Sequence, residues 1–275
     1  MPTHANIPTA RTNERRALID LLHSQLEQDP RVRAAWLSGS ISRGDDDWLS
    51  DIDIHVIATD ESIENIVETR HSFVATAITP VLTMDMLKNA APNGAYLLVH
   101  YPGEFGPQHV DWYWLPESGA SRPGDGYMLF DRAALPGMDG EEWAKSVHQT
   151  ENRPAINSTD PIDLVNHHFE FFWAMALIVS KYIVRGDHET VEYMLNMIVR
   201  TLGQIGEQLT ISVPEIEPFK FDAESNRRLQ FDSLRSVSKM ATSIESDAVA
   251  NGATIPSGAI ELVEAFFDAC ELAAE

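Results

Sequence analysis

Asp51 and Asp53 stand two residues apart in the run Ser50-Asp51-Ile52-Asp53-Ile54-His55-Val56. On a strand, residues i and i+2 project to one face, so this run presents two carboxylates side by side. Just upstream lies Leu37-Ser38-Gly39-Ser40-Ile41-Ser42-Arg43-Gly44. A small, flexible Gly-Ser turn can bring backbone N–H groups against a phosphate. Paired carboxylates beside such a turn suit a nucleoside triphosphate and its Mg²⁺ ions. A third acid, Asp111, interrupts the strand-like run His109-Val110-Asp111-Trp112-Tyr113-Trp114. An ionised carboxylate there needs partners, and two metal ions would serve. The chemistry these parts fit is nucleotidyl transfer, in which a hydroxyl attacks the α-phosphorus in line and pyrophosphate leaves. Two metals about 3.5–4 Å apart lower that barrier by activating the attacking oxygen and neutralising the leaving one. Hard Mg²⁺ takes carboxylate oxygens and keeps several waters.

Gly-Ser, about ten residues, Asp-x-Asp on a strand and a later strand acid together resemble the signature of the polymerase-β-like nucleotidyltransferase superfamily. Its counterparts here are Gly39-Ser40, Asp51, Asp53 and Asp111, and the resemblance covers about residues 20–131. Arg43-Gly44 also matches the Gly-Ser-x-x-Arg-Gly form of bacterial small-molecule members. The resemblance implies that Asp51, Asp53 and Asp111 hold two Mg²⁺ ions. It also implies that Gly39 and Ser40 contact the triphosphate of ATP, with Arg43 as a further phosphate ligand.

The second half is similar to the helical domain of antibiotic adenylyltransferases, those acting on aminoglycosides and lincosamides. The likeness rests on Lys181-Tyr182-Ile183-Val184-Arg185-Gly186-Asp187 and the Leu- and Met-rich helix after it. It implies a two-domain enzyme with ATP·Mg²⁺ in a cleft and an antibiotic held between the halves. AMP would pass to a drug hydroxyl, with Asp111 holding metal and helping to take the proton. Lys181 would neutralise triphosphate charge from the second domain; the rival reading is a surface lysine that snorkels to water.

Charge narrows the partners. Forty-two acids against twenty bases give a formal charge of −22 in 275 residues. A polyanion such as DNA or RNA is repelled by that field, and no run of Lys or Arg offsets it. A small cationic acceptor is attracted, although acidity also serves solubility alone. The single cysteine, Cys270, provides neither a disulfide framework nor a thiolate zinc cluster. The start, Met1-Pro2-Thr3-His4, has no basic and apolar leader, and the most apolar stretch, residues 169–184, reads as a buried helix. The expectation is a cytoplasmic protein that binds neither nucleic acid nor membrane.

The elements that must position these residues are read from periodicity. Residues 1–13 are polar and expected to be loose, and 14–28 form an amphipathic helix through Leu18, Leu21, Leu22 and Leu26. Strands are expected at 32–37, 51–58, 95–100 and 108–115, with an edge strand at 127–130. Ser40 is placed as the N-cap of a helix from Ile41, Asp45-Asp46-Asp47 as a solvated loop, and 62–77 as one helix. This order predicts an α/β domain, a mixed sheet flanked by helices, over residues 1–135. Residues 136–160 form a linker with a short helix around Trp143, and 161–275 an all-α bundle. Its helices are expected at 161–184, 188–208, 224–244 and 257–274, joined by short turns, with Asp160 and Pro161 opening the first and Gly186 closing it.

Two other functions fit the same motifs. The acceptor can be a protein, as in protein adenylylation or toxin–antitoxin systems. Alternatively, a degenerate site leaves a nucleotide-binding module without catalysis, against which the presence of all three carboxylates argues.

Overall fold

The structure is a computed structural model and describes residues 6–147, 154–222 and 226–274. Parts of the expected loose N-terminus, of the linker and of the helix start at 224 fall outside the described residues. The chain divides into two compact units: one comprises 8–103 with 108–156, the other 157–275 with 1–7 and 104–107.

The first unit opens with α1 (Ile7–Gln28), which begins well before the expected Glu14. Its buried stripe runs Arg11, Arg15, Leu18, Leu22, Leu26, spaced by three and four. Two arginines hide the first half of that stripe from a reading by hydropathy. There follow β1 (Val32–Ser38), α2 (Gly39–Arg43), β2 (Ile52–Ala58), α3 (Ile63–Glu68) and α4 (Arg70–Val74). The single helix expected over 62–77 breaks at Thr69, whose backbone (φ −101°, ψ 14°) leaves the helical region. Its hydroxyl bonds back to the Asn65 carbonyl at 2.7 Å, a local alternative to continuing the helix.

Next come β3 (Leu82–Asp85), β4 (Ala95–Tyr101), β5 (Gln108–Pro116), β6 (Arg122–Pro123), β7 (Tyr127–Asp131), β8 (Gly137–Met138) and α5 (Gly140–Val147). Six strands form one mixed sheet in the order β3-β4-β5-β2-β1-β7, with β7 at an edge as expected. β3, which the sequence did not reveal, is the other edge. Within this sheet β2 and β5 pair in parallel and every other pairing is antiparallel.

Strand alternation gives the sheet two unlike faces. Ile52, Ile54 and Val56 of β2, Val110, Trp112 and Trp114 of β5, and Leu97 and Val99 of β4 pack with Leu22 and Leu26 of α1 and with Ile66, Phe73 and Val74. The intervening residues, Asp53 and His55 of β2 and His109, Asp111 and Tyr113 of β5, project to the other face. Trp112 and Trp114 stack on each other at 5.5 Å inside the apolar core. They are fully buried there, so the Trp-Tyr-Trp run is core on one side and polar on the other.

The second unit is helical: α6 (Pro161–Arg185), α7 (His188–Leu209), α8 (Arg227–Ala250) and α9 (Ser257–Ala274). Asp160 caps α6 by accepting from the Ile162 and Asp163 N–H groups, Pro161 occupies the first turn, and Gly186 ends the helix at φ +74°. α6 packs against α7, α8 and α9. The α7–α8 connection is not the expected short turn: residues 210–222 run without regular structure. Asn196 of α7 pins that run through the Phe219 N–H and carbonyl, at 2.8 and 3.0 Å. No helix among the described residues is long and apolar enough to cross a membrane.

Candidate active site

The parallel pairing of β2 with β5 builds the site. In its register Asp53 stands beside Asp111 and His55 beside Tyr113. Asp51, just ahead of β2, meets His109 and Asp111: one ligand atom from each lies within 4.8 Å of the other two. Asp53 is outside that tight group but not apart from it. Burial and the charges of Asp111, Asp53 and Asp51 together push the Tyr113 phenol far above its ordinary value, so all three carboxylates act on one ring. The three expected acids therefore share a face.

Asp111 is held by two neighbours. The Tyr96 hydroxyl donates to its Oδ1 at 2.5 Å, and His109 Nε2 lies 3.0 Å from the same oxygen. Burial, followed by the Asp111 charge, raises Tyr96 well above the ordinary phenol range, which keeps its donor proton in place. Arg132 of the same unit is engaged by other groups, bonded to the Glu27 carbonyl and stacked on Phe130 at 4.9 Å.

Gly39 occupies the turn between β1 and α2 at φ +70°. A Cβ there would land inside contact distance of Asp53 Oδ2, so the glycine is required both by backbone conformation and by the acid beside it. Ser40 is the second residue of α2 and not its N-cap. Ser38 takes the cap position, but its side chain makes no capping bond. The Ser38 hydroxyl instead lies 2.9 Å from His55 Nε2. His55 is stacked between Tyr113 and Trp36, with ring centroids at 4.5 and 5.7 Å.

Arg43, at the end of α2, is 54% exposed and pairs with Asp45 at 3.2 Å. The acidic loop after it is more structured than a solvated run. Buried Arg15 pairs with Asp46 and donates to the Asp47 and Ser50 carbonyls at 2.6 and 3.2 Å. Asp47 Oδ1 accepts from the Leu49 N–H and the Ser50 hydroxyl. These bonds fix the chain that delivers Asp51. Lys181 belongs to the helical unit, where it is 3% exposed in α6. It is therefore no snorkelling surface lysine.

No protein-family model matches the chain, and no curated protein matches it. Among solved structures the chain is similar to one in the E. coli MS115-1 CdnC:HORMA-deltaN complex, at 11% identity, with 96% of this chain and 93% of that chain covered and a TM-score of 0.29. It is also similar to the STING-associated CdnE c-di-GMP synthase from Capnocytophaga granulosa, at 12% identity, with 96% and 80% covered and a TM-score of 0.27.

The donor set fits a hard divalent cation. Carboxylate oxygens from Asp51 and Asp111 converge, Asp53 adds negative charge beside them, and neither Asp51 nor Asp111 is fully buried. Sequence reading missed His109. The available signal was its i, i+2 spacing to Asp111, the same spacing that singled out Asp51 and Asp53.

Proposed function

We propose that this protein is a divalent-cation-dependent nucleotidyltransferase that moves AMP from ATP to a hydroxyl of a small molecule, with aminoglycoside-type antibiotics as the acceptor class. The observation that carries the reading is the gathering of Asp51, Asp53 and Asp111 on one sheet face through the β2–β5 register. In support, Gly39 turns against Asp53, as a phosphate-binding turn beside metal-binding acids requires. A formal charge of −22 favours a cationic acceptor over a polyanion.

In this reading Asp51, Asp53 and Asp111 hold Mg²⁺, which, when bound, activates the attacking oxygen and neutralises the departing pyrophosphate. Gly39 and Ser40 receive the triphosphate, and Arg43 is assigned to its charge. The acceptor oxygen bonds to the α-phosphorus as the bond to the β-phosphate bridge breaks, and the acceptor's proton passes to the acidic face.

The test is pyrophosphate release from ATP and Mg²⁺, alone and with aminoglycosides, lincosamides and control alcohols. Turnover with a small acceptor, lost in Asp53→Asn and Asp111→Asn, supports the reading. Tight ATP binding without pyrophosphate release across the panel would overturn the catalytic role. Label from ATP on protein, with none on a small molecule, would move the acceptor to the protein class.

A further inference from the structure

His109, Asp51 and Asp111 together have the composition and spacing of a three-ligand cation site. The hydrogen bonds divide them differently. His109 is almost fully buried, with its Nε2 directed at Asp111 Oδ1 and its Nδ1 without a hydrogen-bond partner among the described residues. To ligate a cation through Nε2, the ring would have to carry its proton on Nδ1, where no acceptor waits. A buried N–H without an acceptor is costly, and metal-bound histidines normally donate that second N–H. The tautomer that satisfies more of the site has the proton on Nε2 and donates it to Asp111.

The Tyr96 hydroxyl donates to that same Oδ1 from β4, the strand on the far side of β5 from β2. Two donors from different strand positions thus converge on one oxygen of one carboxylate. Such a pair fixes the carboxylate's rotation and leaves the other oxygen, Oδ2, to serve a cation. We propose that His109 and Tyr96 are positioning residues that set the Asp111 carboxylate for cation binding, and that His109 is not itself a ligand. This rests on the proposed cation site and adds how the site is held in shape.

The experiment is Mn²⁺ binding to the nucleotide-free full chain, followed by electron paramagnetic resonance with nitrogen-sensitive pulsed detection. The unaltered protein should bind Mn²⁺ without a directly coordinated imidazole nitrogen. Tyr96→Phe should weaken binding about 10–100-fold, the range for loss of a partner that orients a metal ligand. His109→Gln, which keeps an N–H donor, should retain more affinity than His109→Ala. Circular dichroism and thermal melting identify the folded variants to be compared. Unchanged Mn²⁺ affinity in folded Tyr96→Phe and His109→Ala overturns the positioning role alone. A strong nitrogen coupling that disappears in His109→Gln overturns it too, since a ring nitrogen of His109 would then bind the ion. Absence of Mn²⁺ binding by the unaltered protein overturns both this role and the cation site on which it rests.

Discussion

Asp53 and Asp111 are register partners on adjacent parallel strands, in the one parallel pairing of the six-stranded sheet. Parallel neighbours keep equivalent residues on the same face about 4.8 Å apart. Fifty-seven residues lie between these acids in sequence, yet the crossover from β2 to β5 brings them side by side. Two carboxylates at that spacing repel each other in water and attract a multivalent cation strongly.

Asp53→Asn and Asp111→Asn should each therefore lower kcat by about 10²-fold or more, as loss of a group acting on transition-state charge does. Neither change removes apolar burial, so far-ultraviolet circular dichroism and the melting midpoint should stay near those of the unaltered protein. Steady-state pyrophosphate release measures the first effect. Activity that survives both changes would remove these acids from the mechanism.

Gly39→Ala tests the turn separately from the charge. The left-handed backbone alone should cost about 1–2 kcal/mol, and the new methyl group must displace the Asp53 carboxylate. Urea denaturation should show the stability loss, and turnover should fall further than the stability loss accounts for. A variant that loses stability but keeps full turnover would show that Asp53 tolerates displacement.

How much of this was legible depended on whether a residue's role is local. The Asp51-x-Asp53 spacing and the alternation of β2 are local, and both appear in the structure. His109 and Tyr96 became visible only through pairing: His109 meets Asp51 across the β2–β5 register, and Tyr96 reaches Asp111 from β4. β3 was missed because four residues, Leu82–Asp85, give too short an alternation to stand out beside Pro80. The start of α1 was missed for a different reason. Arg11 and Arg15 sit on its buried side, where hydropathy reads them as solvent-facing.

Arg15 supplies the next prediction. Its guanidinium ties α1 to Asp46 and to the Asp47 and Ser50 carbonyls immediately before Asp51. Arg15→Met keeps much of the apolar stem and removes these charged bonds, which should cost about 2 kcal/mol or more. The loop should then loosen, so Mn²⁺ affinity should fall along with stability. Unfolding curves and cation titration on the same sample separate the two. A destabilised variant with unaltered cation affinity would show that Asp51 is placed by β2 alone.

The last prediction concerns acid stability, at the edge strand the sequence did not reveal. Asp85 of β3 accepts from Arg70 of α4 at 2.7 and 2.8 Å and lies 3.0 Å from His71 Nε2. Burial pushes its carboxyl up, but the bonds from His71 and Arg70 outweigh burial and bring it down to about 2. A carboxyl depressed in the folded state stabilises the fold above its unfolded value, near 3.8, and loses that contribution as pH falls through about 2. Allowing for solvent screening at a side chain 22% exposed, the contribution at pH 6 should be about 1–2 kcal/mol. Asp85→Asn should therefore be less stable than the unaltered protein in urea at pH 6, with the gap closing as pH falls from about 4 towards 2. Comparing the two proteins at each pH cancels the repulsion and charging common to both. A gap that stays constant across that range would mean that Asp85 stabilises the fold through hydrogen-bond geometry, without a contribution from its charge.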